Sequence, residues 1–511
     1  MNPLRRGGLL LHPTSLPGRF GIGDLGPEAS RWVQAVAESG LSLWQVLPLG
    51  PTGFGDSPYQ CFSAFGGNPL LVSPERLRED GLLTAADLDS TPAFPLSHVD
   101  FGPVIAFKSA LLDRAFERFE SSPPAALRGA FEAFGEAQDH WLDDYALFAA
   151  LKREYGGYAW TRWAPELARR EPAALAVARA RLARELRSER FRQFAFFRQW
   201  SRLREEARAA GVAIVGDVPI FVAHDSADVW AHPELFHLDA QLQPSIVAGV
   251  PPDYFSATGQ RWGNPLYRWD VLEARGYDWW VERLRAVLEL VDLVRLDHFR
   301  GFDTYWEVPA DSATAEHGRW VAGPGDDFFR AMRDALGGLP LIAEDLGDVR
   351  PEVLELRDRW GLPGMTVLQF GFEADDHEFA PHRHVPQRVV YTGTHDNDTT
   401  RGWFAAAEES TRDRLRRYLA TDAHDVAWDL IREAFRSVAT TAIVPLQDVL
   451  DLGAEARMNL PGRPAGNWTW RFTADRFGAA PRERLRELAS LYGRRAVDAG
   501  ASSDLSSRRA G

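Results

Sequence analysis

Short apolar runs that end in a carboxylate recur along this chain of 511 residues. Leu293-Val294-Arg295-Leu296-Asp297, Leu341-Ile342-Ala343-Glu344 and Val389-Val390-Tyr391-Thr392-Gly393-Thr394-His395-Asp396 share the pattern. A short apolar run bounded by polar residues reads as a strand buried on both faces of a parallel sheet. Eight such strands are predicted, at 8–11, 43–47, 212–218, 293–296, 341–343, 365–370, 389–392 and 442–446. Amphipathic helical patterns separate most of them. In 278–291, for example, Val281, Leu284, Val287, Leu288 and Val291 fall on one face. Strands alternating with helices predict parallel βαβ units, and eight units predict a closed (β/α)8 TIM barrel, an α/β fold. A doubly wound open sheet calls for a glycine-rich phosphate turn after its first strand, and Leu11-His12-Pro13-Thr14-Ser15 is not one.

The spacing is uneven. Roughly 160 residues separate the second and third strands, against the ~30 of a simple βαβ unit. The intervening 52–210 is expected to be a mainly helical insertion, rich in Ala, Arg and Glu over 123–138 and 166–204. A second insertion, 225–270, carries Pro244-Ser245-Ile246-Val247-Ala248-Gly249-Val250-Pro251-Pro252-Asp253-Tyr254, too rich in Pro and Gly for a long helix. Long connections of this kind are usually functional, and both are expected over the carboxyl-terminal face of the barrel. No repeat and no linker divides the chain, so 1–511 reads as one catalytic unit without a separate C-terminal β domain. The small, polar tail, 499–511, is expected to fray.

In such a barrel the carboxyl ends of the strands converge at one face, where catalytic groups sit. Three acids delivered there predict one carboxylate-based site. Glycosidic bond cleavage needs an acid to protonate the departing oxygen and a carboxylate to meet the oxocarbenium-like carbon. Asp297, Glu344 and Asp396 fit nucleophile, acid/base and substrate-positioning acid. Each alone reads more readily as an ion-paired or solvated carboxylate; it is their recurrence at three strand ends that favours a site. Arg295 lies two residues before Asp297 and so points to the same side of the strand, where a guanidinium stabilises a carboxylate anion. His395 either donates to a sugar hydroxyl or merely caps its strand.

Composition narrows the chemistry. Apolar residues make up 45% and charged residues 25%, the balance of a water-soluble globular protein. A net charge of -14 with dispersed basic residues argues against nucleic acid or an anionic membrane surface as partner. Lysine occurs only at Lys108 and Lys152, which leaves few candidates for a Schiff base. The single cysteine, Cys61, excludes an internal disulfide or a cysteine metal cluster, and it reads as an inert half-buried thiol. The first residues lack the apolar run and cleavage site of a signal peptide, and no run approaches membrane-spanning length, so a cytoplasmic location is expected. The 18 Trp, 11 Tyr and 30 Phe are mostly core. Tyr59, Tyr254, Trp262, Tyr267 and Trp468, however, stand among Gly, Asp, Asn and Pro, as rings that face a sugar do.

Two other chemistries fit less well. Asp297-His298, Glu344-Asp345 and His395-Asp396 offer metal ligands, but His12 has no partner histidine after the first strand and His-Glu-x-x-His is absent. Gly-x-Ser-x-Gly is absent too, and Gly55-Asp56-Ser57-Pro58-Tyr59 lacks the strand-to-helix setting of a nucleophilic serine. No metal and no cofactor are expected.

At the acids the chain resembles a known family. Arg295-Leu296-Asp297-His298-Phe299-Arg300-Gly301, Ala343-Glu344-Asp345-Leu346-Gly347 and Thr394-His395-Asp396-Asn397-Asp398-Thr399 are similar to the catalytic motifs of the amylomaltases, the 4-α-glucanotransferases of the α-amylase superfamily. The likeness runs in order through His12-Pro13-Thr14-Ser15-Leu16-Pro17, Gly55-Asp56-Ser57-Pro58-Tyr59-Gln60, Val250-Pro251-Pro252-Asp253-Tyr254-Phe255-Ser256, Gly259-Gln260-Arg261-Trp262-Gly263-Asn264-Pro265, Arg457-Met458-Asn459 and Gly466-Asn467-Trp468.

The resemblance implies a retaining double displacement on α-1,4-glucans. Asp297 would attack the anomeric carbon, Glu344 would protonate the leaving 4-hydroxyl and later deprotonate the acceptor, and Asp396 would stabilise the distorted sugar. Tyr59, Asp217, Arg295 and His395 match positions lining the donor sugar subsite. The loop 248–263 matches the family's active-site lid, with Asp253 and Trp262 toward the acceptor, and Asn467 is carried over as a binding residue. A lid suits a transferase, which must admit a sugar hydroxyl while keeping water out; the bland alternative is a surface excursion packed by its own prolines. The chain departs from the family at Phe54 and Phe101, where members often carry Tyr. Maltooligosaccharides and amylose are the expected partners, with no obligate protein partner. Hydrolysis of the same bond by the same residues is the alternative activity.

Overall fold

The computed structural model describes residues 5–252, 256–347, 349–463 and 465–495. It contains twelve strands among those residues: β1 Arg6–Leu10, β2 Leu43–Gln45, β3 Ala213–Pro219, β4 Ile246–Val250, β5 Gln260–Pro265, β6 Leu293–Asp297, β7 Thr304–Pro309, β8 Arg319–Ala322, β9 Leu341–Ala343, β10 Gly364–Val367, β11 Arg388–Tyr391 and β12 Thr441–Pro445. Eight of them form one sheet in the order β10-β11-β12-β1-β2-β3-β6-β9, with every pairing parallel. The Ala343 N–H donates to Pro363 O at 2.9 Å, one residue before β10. That bond sets β9 against β10 and closes the sheet into a (β/α)8 barrel.

All eight predicted strands are barrel strands, because their residues are buried on both faces, as parallel strands under a helical layer must be. β2 and β9 are buried throughout, and so is β10. Close packing explains one glycine directly: a Cβ on Gly8 would lie 2.6 Å from Leu43 Cβ and 2.9 Å from Leu43 O on the neighbouring strand. Outside the barrel, Trp44 of β2 packs against Trp32 and Trp200, with ring centroids 6.2 Å away in both cases. The Trp200 indole donates to Leu290 O at 2.8 Å. Helix Ala183–Ala209 is thereby tied to helices Pro27–Glu38 and Asp278–Leu290.

Two elements differ from the pattern-based expectation. The strand expected at 365–370 stops at Val367, since Gln369 turns into a helical conformation and donates its side-chain amide to Asp398 O at 3.0 Å. The helical stretch 166–204 is broken into Pro165–Ala168, Pro172–Arg181 and a helix beginning at Ala183, with proline opening the first two. The described part of 225–270 also contains β4 and β5, which join β7 and β8 in a second, antiparallel sheet of order β5-β4-β7-β8. No described helix is long and apolar enough to cross a membrane.

Candidate active site

Asp297 closes β6 and Glu344 follows β9. The two strands pair Leu296 with Ala343, which makes the two acids register neighbours on adjacent strands. Such strands stand about 4.8 Å apart. The chain then leaves β6 through His298, a non-glycine residue in the left-handed region at φ 55°. Strained backbone of this kind costs energy and recurs at functional sites. Here it aims the His298 N–H at Glu344 Oε2, 2.8 Å away, while the Leu346 N–H meets Oε1 at 3.0 Å. Both oxygens of the acid are therefore fixed by backbone.

Arg295 connects the nucleophile candidate to the barrel interior. Its Nη2 lies 2.8 Å from Asp297 Oδ1, and its Nη1 lies 2.9 and 2.7 Å from the two oxygens of Asp217. Asp217 and Arg295 are direct partners in the β3–β6 pairing. Tyr59 completes the cluster from a distant loop: its hydroxyl donates to Asp217 Oδ2 at 2.9 Å and lies 2.8 Å from His395 Nε2. The Tyr59 and His395 rings stack at 5.2 Å, and Trp468 tilts against both at 5.7 and 6.1 Å. On the far side, His395 Nε2 is 3.3 Å from Asp396 Oδ2, and Asn459 Nδ2 donates to Asp396 Oδ1 at 2.6 Å. Tyr59, Asp217, Arg295, Asp297, His395 and Asp396 are thus one connected group, with Glu344 beside it on the next strand.

Electrostatics singles out Glu344. Burial raises the Glu344 carboxyl to about 7; Arg295 opposes this and the Asp297 charge adds to it. A carboxylic acid held protonated near neutral pH is what general-acid catalysis requires. Burial likewise raises Asp217 to about 7 against the pull of Arg295. Burial disfavours the charge on Arg295 itself, but Asp217 and Asp297 outweigh it and hold the guanidinium well above its usual range. Burial lowers His395, keeping the imidazole neutral.

The remaining candidates are placed as follows. Trp262, on β5, sets its ring edge-on to His298, whose backbone N–H holds the acid, with centroids 4.8 Å apart. The Asn467 amide is used within its own loop, accepting from Leu460 N at 2.9 Å and donating to Leu460 O and Arg463 O. Asp253, with Tyr254 and Phe255, lies outside the described residues. Phe54 is 76% exposed, whereas Phe101 packs on a small cluster of Ile22, Leu70, Val99 and Val104. Asp345 turns away from the site to Arg357, Arg388 and the Met365 N–H. No group of three or more potential metal ligands occurs among the described residues. Burial pushes the Cys61 thiol up to about 12, and it donates to Pro58 O at 2.9 Å, which makes it inert.

Sequence reasoning did not single out Asn459 or Arg457 as site residues. Arg457 donates to the carbonyl of Asp396 at 2.5 Å, and together the pair holds that acid from both backbone and side chain. Their motif, Arg457-Met458-Asn459, was visible, but nothing in its spacing points to a carboxylate 63 positions earlier.

Comparison with known proteins agrees with this geometry. The family model described as 4-alpha-glucanotransferase matches residues 11–475. The 4-alpha-glucanotransferase of Thermus thermophilus is 52% identical over 94% of this chain and 97% of its own length. That of Synechocystis is 50% identical over 96% of this chain and 98% of its own. Among solved structures, amylomaltase from Streptococcus agalactiae in complex with acarbose superposes with a TM-score of 0.93 at 36% identity, covering 96% of this chain and 99% of that one. From strand register to whole-chain similarity, the observations agree, and the chain belongs to the 4-alpha-glucanotransferase, or amylomaltase, family.

Proposed function

We infer that the protein moves α-1,4-glucan segments between maltooligosaccharides or amylose by a retaining double displacement. The observation that carries the mechanism is the pairing of a buried carboxyl raised to about 7, Glu344, with Asp297 on the adjacent strand. In the first step an Asp297 oxygen bonds to the anomeric carbon as the glycosidic C–O bond breaks, and the Glu344 proton passes to the departing 4-oxygen. In the second, the ionised Glu344 takes the proton of an acceptor 4-hydroxyl, whose oxygen displaces Asp297 and restores the free carboxylate. Arg295 orients Asp297. Asp396, held by Asn459, is positioned to meet sugar hydroxyls while the ring distorts, with His395, Tyr59 and Asp217 beside it.

Transfer rather than hydrolysis requires that the acceptor site favour a sugar over water. Trp262 beside the acid's backbone donor supports an apolar acceptor wall, and we assign the loop 248–263, Asp253 included, to that side. Asn467 is assigned to shaping the 460–467 loop near Asp396. The connections 52–210 and 225–270 are read as insertions of one catalytic unit. A cytoplasmic location is also proposed, and cell fractionation tests it.

Incubation with maltotriose tests the activity. A ladder of longer maltooligosaccharides together with free glucose is the expected result. Glucose and maltose alone would establish the hydrolase alternative.

A further inference from the structure

Behind His395 lies a small pocket of about 20 Å3, room for about one water. It is lined by His12, Thr394, His395, Asn397, Asp398 and Gln447, among others. His12 and His395 are each 5% exposed. Neither imidazole Nδ1 has a protein hydrogen-bond partner among the described residues, and both are fully buried. Buried polar atoms are almost always satisfied, and a space of this size, with both imidazoles in its lining, holds a single water or hydroxyl.

The proton inventory fixes what each ring can offer. The Tyr59 hydroxyl has one proton, which it gives to Asp217 Oδ2 at 2.9 Å. The nitrogen that faces the Asp396 carboxylate at 3.3 Å as well as the Tyr59 oxygen at 2.8 Å meets both only as a donor. His395 is therefore the Nε2–H tautomer, and its Nδ1 is a bare acceptor. The opposite tautomer would turn a lone pair toward the Asp396 carboxylate. Burial lowers both histidines, His12 to about 3, so neither supplies a second proton of its own. Other charges facing His395 are Asp297 and Arg295 on the sugar side, with Asp398 and Arg457 in the pocket.

We propose that His12 and His395 together bind one hydroxyl group through their Nδ1 atoms, which makes His12 a positioning residue for His395. The hydroxyl proton goes to His395 Nδ1, and its oxygen accepts Nδ1–H of His12. That arrangement locks the tautomer in which His395 presents Nε2–H to Tyr59 and Asp396. The hydroxyl belongs either to water or to a glucan. The inference rests on the glucanotransferase reading for its catalytic consequence, but not for its structural one.

Nitrogen-15 NMR of histidine-labelled enzyme tests it, with His395→Asn used to assign the signals. The expected wild-type spectrum has His395 as the Nε2–H tautomer with a hydrogen-bonded Nδ1. In His12→Leu the Nδ1 signal moves to its unbonded position or the tautomers mix. Transfer kcat then falls about three- to tenfold, the effect of one hydrogen bond, with KM little changed. His12→Gln, which keeps a donor, restores both. A bonded Nδ1 in the free enzyme identifies water; one that appears only with maltotriose identifies a glucan hydroxyl. His395 signals identical in His12→Leu and wild type, with and without maltotriose, would overturn the proposal. If His12→Leu does not fold, a wild-type His395 found cationic or as the Nδ1–H tautomer at neutral pH overturns it instead. Absence of transfer by the wild type, with the NMR result intact, would sink only the functional reading.

Discussion

Replacing Glu344 with glutamine keeps the shape of the side chain and removes its proton chemistry, so the structure makes two separable forecasts. The first concerns rate. A positioned general acid contributes about 10²–10⁴-fold, and transfer from maltotriose should fall by that factor in Glu344→Gln. A donor whose leaving group needs no proton, α-maltotriosyl fluoride, should still glycosylate the variant at near wild-type rate. The second concerns stability. The folded-state pKa is raised from 4.5 to about 7 by burial, so the carboxyl favours the folded state fully below 4.5, and this is lost as pH rises through 7. The raise corresponds to about 3–4 kcal/mol, reduced by the partial exposure of the side chain. The stability difference between wild type and Glu344→Gln, from urea unfolding across pH, should therefore shift toward the variant by on the order of 2 kcal/mol. For the wild type, kcat/KM should fall as pH rises past about 7, when the acid loses its proton. Transfer within threefold of wild type, or a flat stability difference, would refute the assigned role.

Other substitutions probe the neighbours. Asp297→Asn should reduce transfer by about 10⁴-fold or more, as loss of a nucleophile does, without rescue by the fluoride donor. Tyr59→Phe removes the hydroxyl between Asp217 and His395. Losing a hydrogen bond to a charged group costs about 1.5–3 kcal/mol, read as a roughly ten- to hundredfold drop in kcat/KM. Trp262→Ala opens the space beside His298, and the share of maltotriose hydrolysed rather than transferred should rise in a product assay.

The barrel was legible because each of its strands is a short apolar run buried on both faces, and the acids were legible because they end such runs. β7 and β8 were not, since Thr304–Pro309 and Arg319–Ala322 mix polar and aromatic residues without clean alternation. β4 and β5 lay inside a stretch whose prolines suggested only a loop. Arg295 could be read from its two-residue offset along one strand. The contacts of Tyr59 with Asp217 and His395 could not, because they join residues 158 and 336 positions apart through tertiary packing. The same holds for the backbone N–H groups that grip Glu344: the left-handed turn at His298 that aims one of them has no mark in sequence, being neither Gly nor Asn.

In the proposed double displacement Asp297 and Glu344 divide the chemistry between them. Incubating Glu344→Gln with α-maltotriosyl fluoride separates the half-reactions, because the first needs no acid and the second is slowed by the missing base. Mass spectrometry of the intact protein should show one added maltotriosyl group, and peptide mapping should place it on Asp297. No adduct, or an adduct on Asp396 or any other residue, would contradict the assignment.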